Sequence, residues 1–437
     1  MTGGTSMTEA WWAVPIEDQV AAIDRGAVTA ETLSTQIRNE VTQHEEHLHA
    51  WVSLSGAALS DARRLDVTPG SLPLRGVSVG VKDLIDVAGM PTRAGSSVTS
   101  REPAGSDAAC VARLRDLGAI VQGKTVTTEF GYFSPGPTHN PHAHGHTPGG
   151  SSSGSASAVG AGTIPLALGT QTAGSLTRPA SFCGAAGMVF AAGTTSLAGV
   201  TGLSPTLDSL GMLTRSVTDL RYVVEAFTGT RYEPLARRTR PMALTWSGSD
   251  LGEVEPDMRR LLDEVPQLIA RAGLGCAQLE WDDHVQTLSA DHLVVMAHEA
   301  ADTLNVLHDT SHESLSPQLR DLVAAGRATS DHDHTHALLR RDRSRALLEN
   351  MLDGGTVIVG PGALGPAPAG LSATGSPVLS RPWQLLGLPV ITVPGGRTSS
   401  GLPLGLQVIG LPGHESVLFD AAIAIESAIR LLPPQPA

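Results

Sequence analysis

The chain has 437 residues, and 41% hydrophobic against 17% charged side chains describe a folded protein with a large core, which excludes disorder throughout. A formal net charge of −13 with no sustained run of Lys and Arg excludes a phosphate-backbone binder, so nucleic acid is not an expected partner. No stretch reaches the roughly 18 uninterrupted apolar residues of a membrane span, and residues 1–16 lack the basic-then-apolar order of a leader, so a cytoplasmic protein away from membranes is expected.

Residues 8–70 read as helices, because Ile16, Val20 and Ile23, then Leu33, Ile37 and Val41, recur at helical spacing, with Thr29 or Thr32 as an N-cap. They form an N-terminal helical layer, taken as residues 1–70. From Leu74 the pattern turns to short β-branched runs (Val77, Val79, Val81; Ile120, Val121) around an amphipathic helix at 107–117, a βαβ-like order that opens a catalytic core over 71–240.

Residues 134–155, SPGPTHNPHAHGHTPGGSSSGS, have the composition of a flexible linker. They run directly into an apolar helix at 156–161 and an apolar strand at 164–168, which sets the tract between core elements. Residues 285–352 read as polar helices carrying His-rich sequence, an insertion or lid layer over a sheet. From Gly355 the segments TVIVGPGA, LPVITVPGG and LPLGLQVIG bring the chain back to that sheet over 355–437, with a last helix at 415–432. Length allows one large α/β unit or two domains; the return of the pattern favours a single unit over 1–437.

Cys110, Cys183 and Cys276 have no CxxC spacing and read as separate packing residues in a reducing compartment. Apart from Lys82 and Lys124, every basic side chain other than histidine is arginine. Arginine stays protonated, so a task that needs a free amine falls to those two lysines. Lys82 ends the apolar run at 77–81. Buried, it loses affinity for its proton and becomes a base; at the surface, or paired with Asp83, it is an ordinary cation.

The tract GGSSSGSAS from Gly149 supports three functional readings. A phosphate-binding loop needs a following Lys, and none is near. The pattern GxSxG is matched by Gly150, Ser152 and Gly154, but the strand that should precede it is a polar His/Pro loop. The third reading uses a second serine, Ser175, in LGTQTAGSLTRPA, where an apolar strand ends among small residues. A turn of this kind can aim the amides of Thr172, Ala173, Gly174 and Ser175 at one oxygen, an oxyanion hole, or it is an ordinary strand-to-loop turn.

Together these blocks resemble the amidase signature family: GVKDLIDVAGMPTRAGS, TPGGSSSGSASAVGAG, PLALGTQTAGSLTRPASFCGAAG and LSPTLDSLGMLTRSVTD, closing with TGSPVLSRPWQLLGLPVITVPGG and GLPLGLQVIG. The likeness spans about residues 20–430. It implies an α/β amidase signature fold, a central mixed β-sheet flanked by helices on both faces. It also implies a Ser/cis-Ser/Lys triad of Ser175 (nucleophile), Ser151 (proton relay) and Lys82 (base), the two serines being 24 positions apart as in the family.

By the same resemblance no metal or organic cofactor takes part, the substrate is a small-molecule amide, and Gly131 and Tyr132 lie near the acyl pocket. A homodimer is compatible with the sequence. The alternatives are an amidotransferase A-type subunit that frees ammonia from glutamine for a partner, and a non-catalytic protein that keeps the fold. Six residues depart from the common family pattern: Gln171 and Ala173 bear on substrate preference, Leu176 and Thr177 change the hydrogen bonds behind the nucleophile, and Val189 and Phe190, in place of a Lys-Pro pair, imply a rearranged loop. His139, His142, His144 and His146 have metal-compatible spacing but read as solvated imidazoles, the DHDHTH stretch at 331–336 as an exposed loop, and Asp208, Arg215 and Asp219 as structural ion pairs.

Overall fold

The computed structural model describes residues 10–233 and 241–431. Residues 1–9, where most of a leader would lie, and Leu432, the expected end of the last helix, fall outside the described residues. The chain enters through α1 (Ile16–Asp24) and α2 (Ala30–Leu48), then makes β1 (Trp51–Leu54) and α3 (Ala58–Val67). The core follows as β2 (Ser78–Lys82), α4 (Ala109–Asp116), β3 (Ile120–Thr125), α5 (Ser153–Gly160), β4 (Leu166–Gln171), α6 (Thr177–Cys183), β5 (Ala186–Val189), β6 (Ser209–Thr214) and α7 (Val217–Thr228). After β7 (Met242–Thr245), α8 (Pro256–Arg271) and β8 (Gly275–Gln278) come four helices, α9 (Asp282–Thr303), α10 (Asn305–Ser311), α11 (Pro317–Ala328) and α12 (Asp331–Leu352). β9 (Thr356–Pro361), α13 (Arg381–Leu385), β10 (Val390–Arg397), β11 (Pro403–Ile409) and α14 (Glu415–Arg430) close the fold.

All eleven strands join one sheet in the order β1-β3-β2-β4-β6-β5-β10-β11-β9-β7-β8. It is mixed: β2 runs parallel to β3 and β4, while β6 runs antiparallel to β4 and β5. Strand alternation sorts successive side chains to opposite faces. Thus Leu166 and Leu168 of β4 pack with Val79, Val81 and the helices α4, α7, α8 and α14, whereas Ala167 between them packs with α2, α3, α5 and α6. Helices therefore cover both faces. A further apolar cluster joins α9, α11 and α12 to Trp246, Ile358 and Trp383.

Two expectations need correction. The stretch 8–70 is not all helical: β1 pairs antiparallel with β3 at the sheet edge, and its exposed Val52 and Ser53 left no periodic signal to distinguish it. The DHDHTH stretch is not a loop but the first turns of α12, capped by the Ser330 hydroxyl, which accepts from Asp333 N. Polar composition reads as loop, but Asp residues at a helix start are favoured by its dipole. The Gly/Ser tract, expected between core elements, is interior. Ser153 and Ser155 donate to the carbonyls of Val126 and Leu168, and Ser157 to His139, so their hydroxyls are satisfied inside the protein instead of by water. Of the two expected caps, Thr29 is the N-cap of α2, accepting from Thr32 N at 3.0 Å. No helix among the described residues is long and apolar enough to cross a membrane.

Candidate active site

Odd-numbered Val77, Val79 and Val81 face one side of the sheet, so Lys82 at the end of β2 faces the other, toward α5 and α6. It is fully buried. Its Nζ lies 2.7 Å from Ser151 Oγ and 2.7 Å from Thr170 Oγ1, with the Thr170 carbonyl at 3.4 Å. Asp83, the alternative partner, turns to the opposite face and pairs at 2.9 Å with Lys124. Burial brings Lys82 down from its ordinary value to about 7, against the pull of the Asp208 carboxylate in the other direction.

Ser151 follows a cis peptide bond from Gly150. The preceding Gly149 sits at φ 81°, and a Cβ there would come within 2.9 Å of Pro179 Cα, so this turn requires glycine. The amide of the next residue, Ser152, donates to Ser175 O at 3.0 Å and ties the two serine segments together. Ser151 and Ser175 line one cavity of ≈ 20 Å³, together with Thr172 and Ala173. Gly131 and Tyr132 line it as well, with Thr128 and Phe133. Ser175 is 8% exposed, and its hydroxyl bonds to no group among the described residues. A larger cavity, ≈ 760 Å³, lies elsewhere, against Cys110, Phe190 and Tyr232, and holds none of these residues.

β4 ends at Gln171, and the turn that follows is held from behind. Gln171 Oε1 accepts from Leu176 N (2.9 Å), Thr177 N (3.0 Å) and Thr177 Oγ1 (3.0 Å), and its amide nitrogen donates to Gln384. The two departures Gln171 and Thr177 thus form one hydrogen-bonded unit behind the nucleophile position. Thr172 Oγ1 donates to Asp208 at 2.5 Å, and His292 Nε2, from the middle of α9, meets the Thr172 carbonyl at 2.8 Å. Burial lowers His292 to about 4, so near neutral pH the ring is an uncharged donor. In a trans peptide the carbonyl and the following N–H point opposite ways, so a Thr172 carbonyl held by His292 turns the Ala173 amide away from α9. The amides of Thr172, Ala173, Gly174 and Ser175 meet no acceptor among the described residues.

Sequence reasoning missed Thr170, His292 and the electrostatic part of Asp208. Asp208, Arg215 and Asp219 are not ion pairs: Asp208 accepts from Thr172, Leu203 N and Ser204 N; Arg215 donates to the carbonyls of Trp12 and Val14; Asp219 caps the Ile16 amide. Their motif positions serve backbone rather than each other. Among the histidines at 139–146, His139 and His144 stack at 4.0 Å and His142 Nε2 meets Cys183 O; no group of three or more His, Cys, Asp or Glu among the described residues could hold a metal. α9 carries three histidines, His284, His292 and His298, and only burial, which the sequence does not show, singles out His292.

Residues 33–419 match the family model described as Amidase. The chain belongs to the amidase signature family. Among relatives in this family, the A-type subunit of glutamyl-tRNA(Gln) amidotransferase from Thermus thermophilus is 30% identical over 93% of this chain and 96% of its own length. A crystal structure of an amidase superposes with a TM-score of 0.85 at 26% identity, covering 95% of this chain and 99% of the other. A chain of an inhibitor-bound vestigial protein complex, one that reveals the evolutionary origins of an s-triazine catabolic enzyme, gives a TM-score of 0.86 at 24% identity, with 95% and 98% covered. At that identity the likeness bears on fold alone. The family fold expected from the motif blocks, a large mixed sheet flanked by helices, is the fold observed.

Proposed function

We propose that the chain hydrolyses the carbon–nitrogen bond of a small-molecule amide, or of a hydrazide, carbamate or ureido analogue, through Ser175, Ser151 and Lys82. The observation that carries this is an uncharged-capable amine, buried and without a carboxylate partner, 2.7 Å from Ser151 Oγ. Neutral Lys82 accepts the Ser151 proton, Ser151 takes the proton of Ser175, and Ser175 Oγ attacks the carbonyl carbon. The free amides of residues 172–175 receive the oxyanion; losing one such donor typically costs about 10²- to 10³-fold. The relay returns its proton to the leaving nitrogen, and the C–N bond breaks to leave an acyl-Ser175 ester. A water, deprotonated by the same relay, attacks that ester and releases the carboxylic acid. These side chains, the backbone amides and water suffice for every step. Three cysteines, none in a disulfide, fit a reducing cytoplasmic setting.

A fluorophosphonate is expected to label the protein at Ser175, and Ser175→Ala to abolish labelling and lower turnover by at least about 10⁴-fold. Labelling located elsewhere by mass spectrometry, or absent from active enzyme, overturns the reading. A second reading, release of ammonia from glutamine within an amidotransferase complex, draws on the name of the Thermus relative. It predicts glutaminase activity that depends on partner proteins.

A further inference from the structure

Two arginines converge on the cavity that holds Ser175. Arg178 lies on α6, one turn past Ser175, and is 3% exposed; Arg381 begins α13 from the other side. One nitrogen of Arg178, Nη2, donates to Gly150 O at 2.5 Å and to Thr374 Oγ1 at 3.3 Å, while Nε and Nη1 are buried without any partner. Arg381 Nε is likewise buried and unpartnered. The cavity lining contains no Asp or Glu. The nearby Asp208 is already engaged by Thr172 and two backbone amides, and the other acid of this region, Asp83, is taken by Lys124.

Buried guanidinium groups lose hydration, and an unpaired one is costly unless an anion compensates it. Elsewhere in the chain buried and partly buried arginines find acids, as Arg75 does with Asp24 and Arg115 with Asp61 and Asp107. Arginines without an acid elsewhere, such as Arg215 and Arg38, donate to backbone carbonyls; among the described residues only Arg178 and Arg381 combine a buried nitrogen that has no partner with the lack of an ion pair. Resting on the amide-hydrolase reading, we infer that the substrate carries a carboxylate a short chain away from its scissile carbonyl, and that Arg178 and Arg381 bind it. The planar fork of a guanidinium matches a carboxylate in two parallel hydrogen bonds. Both guanidinium groups line the same small cavity as Ser175, which keeps the connecting chain short. With no acid in the lining, an ammonium on the same substrate finds no partner, so an α-amino acid amide such as glutamine is a poor fit.

The test uses the monoamides of oxalic, malonic and succinic acid, their neutral diamides, and glutamine. For the best chain length, kcat/KM on the monoamide is expected to exceed that on the diamide by about 10²-fold, since a site built for a polar group rejects the analogue lacking it. Arg381→Gln should cut this ratio at least about tenfold, and Arg381→Lys should restore part of it. Arg178 also holds the loop before Ser151, so Arg178→Gln is judged by the same ratio and not by rate. Calorimetric titration with oxalate, malonate and succinate gives a reading independent of turnover: tighter binding than the matching diamide, lost in Arg381→Gln, supports the inference. A ratio at or below one together with equal binding of dicarboxylate and diamide overturns it, as does glutamine turnover equal to that of the monoamide. Labelling of Ser175 by a fluorophosphonate reports separately on the hydrolase reading, so the two can fail apart.

Discussion

Both lysines of the chain are buried completely, and they do opposite things. Lys82 and Lys124 sit near the ends of adjacent parallel strands, where Val81 is the register partner of Lys124 and Lys82 that of Thr125, so the two ammonium groups leave the sheet on opposite faces. On one face Lys124 meets Asp83 at 2.9 Å, with Thr92 Oγ1 at 3.0 Å; burial lowers Lys124 too, but the Asp83 carboxylate works against that shift and compensates the charge. On the other face Lys82 meets only hydroxyls and a carbonyl, so desolvation wins and the amine gives up its proton near neutrality. The difference teaches that depth alone does not make a buried lysine a base; the absence of a carboxylate within contact does.

The sharpest way to break this contrast is to remove each amine. Lys82→Met is expected to lower kcat/KM by about 10³- to 10⁴-fold with the fold intact, because it removes a general base and no ion pair. The sign of its pH effects follows from a folded value of about 7 below the ordinary 10.5. The wild-type rate should rise with pH through about 7 as the base becomes free. Stability should also rise between about 7 and 10.5, where the unfolded chain holds a proton the folded one lacks. Lys82→Met should erase that stability slope, as measured by denaturant unfolding across pH.

Lys124→Met leaves Asp83 buried and alone, and is expected to destabilise the fold by about 3–5 kcal/mol. Asp83→Leu in the same chain should recover most of the loss, whereas an unchanged midpoint in the single variant would mean that the pair is not compensating charge. The smallest effect is expected from Asp208→Asn. Its carboxylate raises Lys82, so its removal should move the rising limb of kcat/KM to lower pH by less than a unit; a shift to higher pH would sink the electrostatic role given to Asp208.

Much of this site was legible as sequence. Scarcity singled out Lys82 and Lys124 among the cations, small residues marked the turn at 171–175, and the motif blocks carried the family fold. Periodicity placed α2, β2, α4, β3, α5 and β4 within a few residues of where they lie. Composition failed where polar side chains are satisfied by the protein instead of by solvent, as in the serines of α5 and the Asp-rich start of α12. It failed too at β1, a four-residue edge strand with one face in water.

By itself the sequence determined which residue types were available: two amines, one turn of small residues, a serine tract between core elements, and a hydrophobic pattern that closes on one sheet. Which lysine lacks an acid, which histidine holds the Thr172 carbonyl, and where two arginines go without counter-charge were decided only by tertiary structure. Those properties depend on the partners a group meets across 69, 120 or more positions of chain, and on how far water is excluded there. Neither is encoded at any one position.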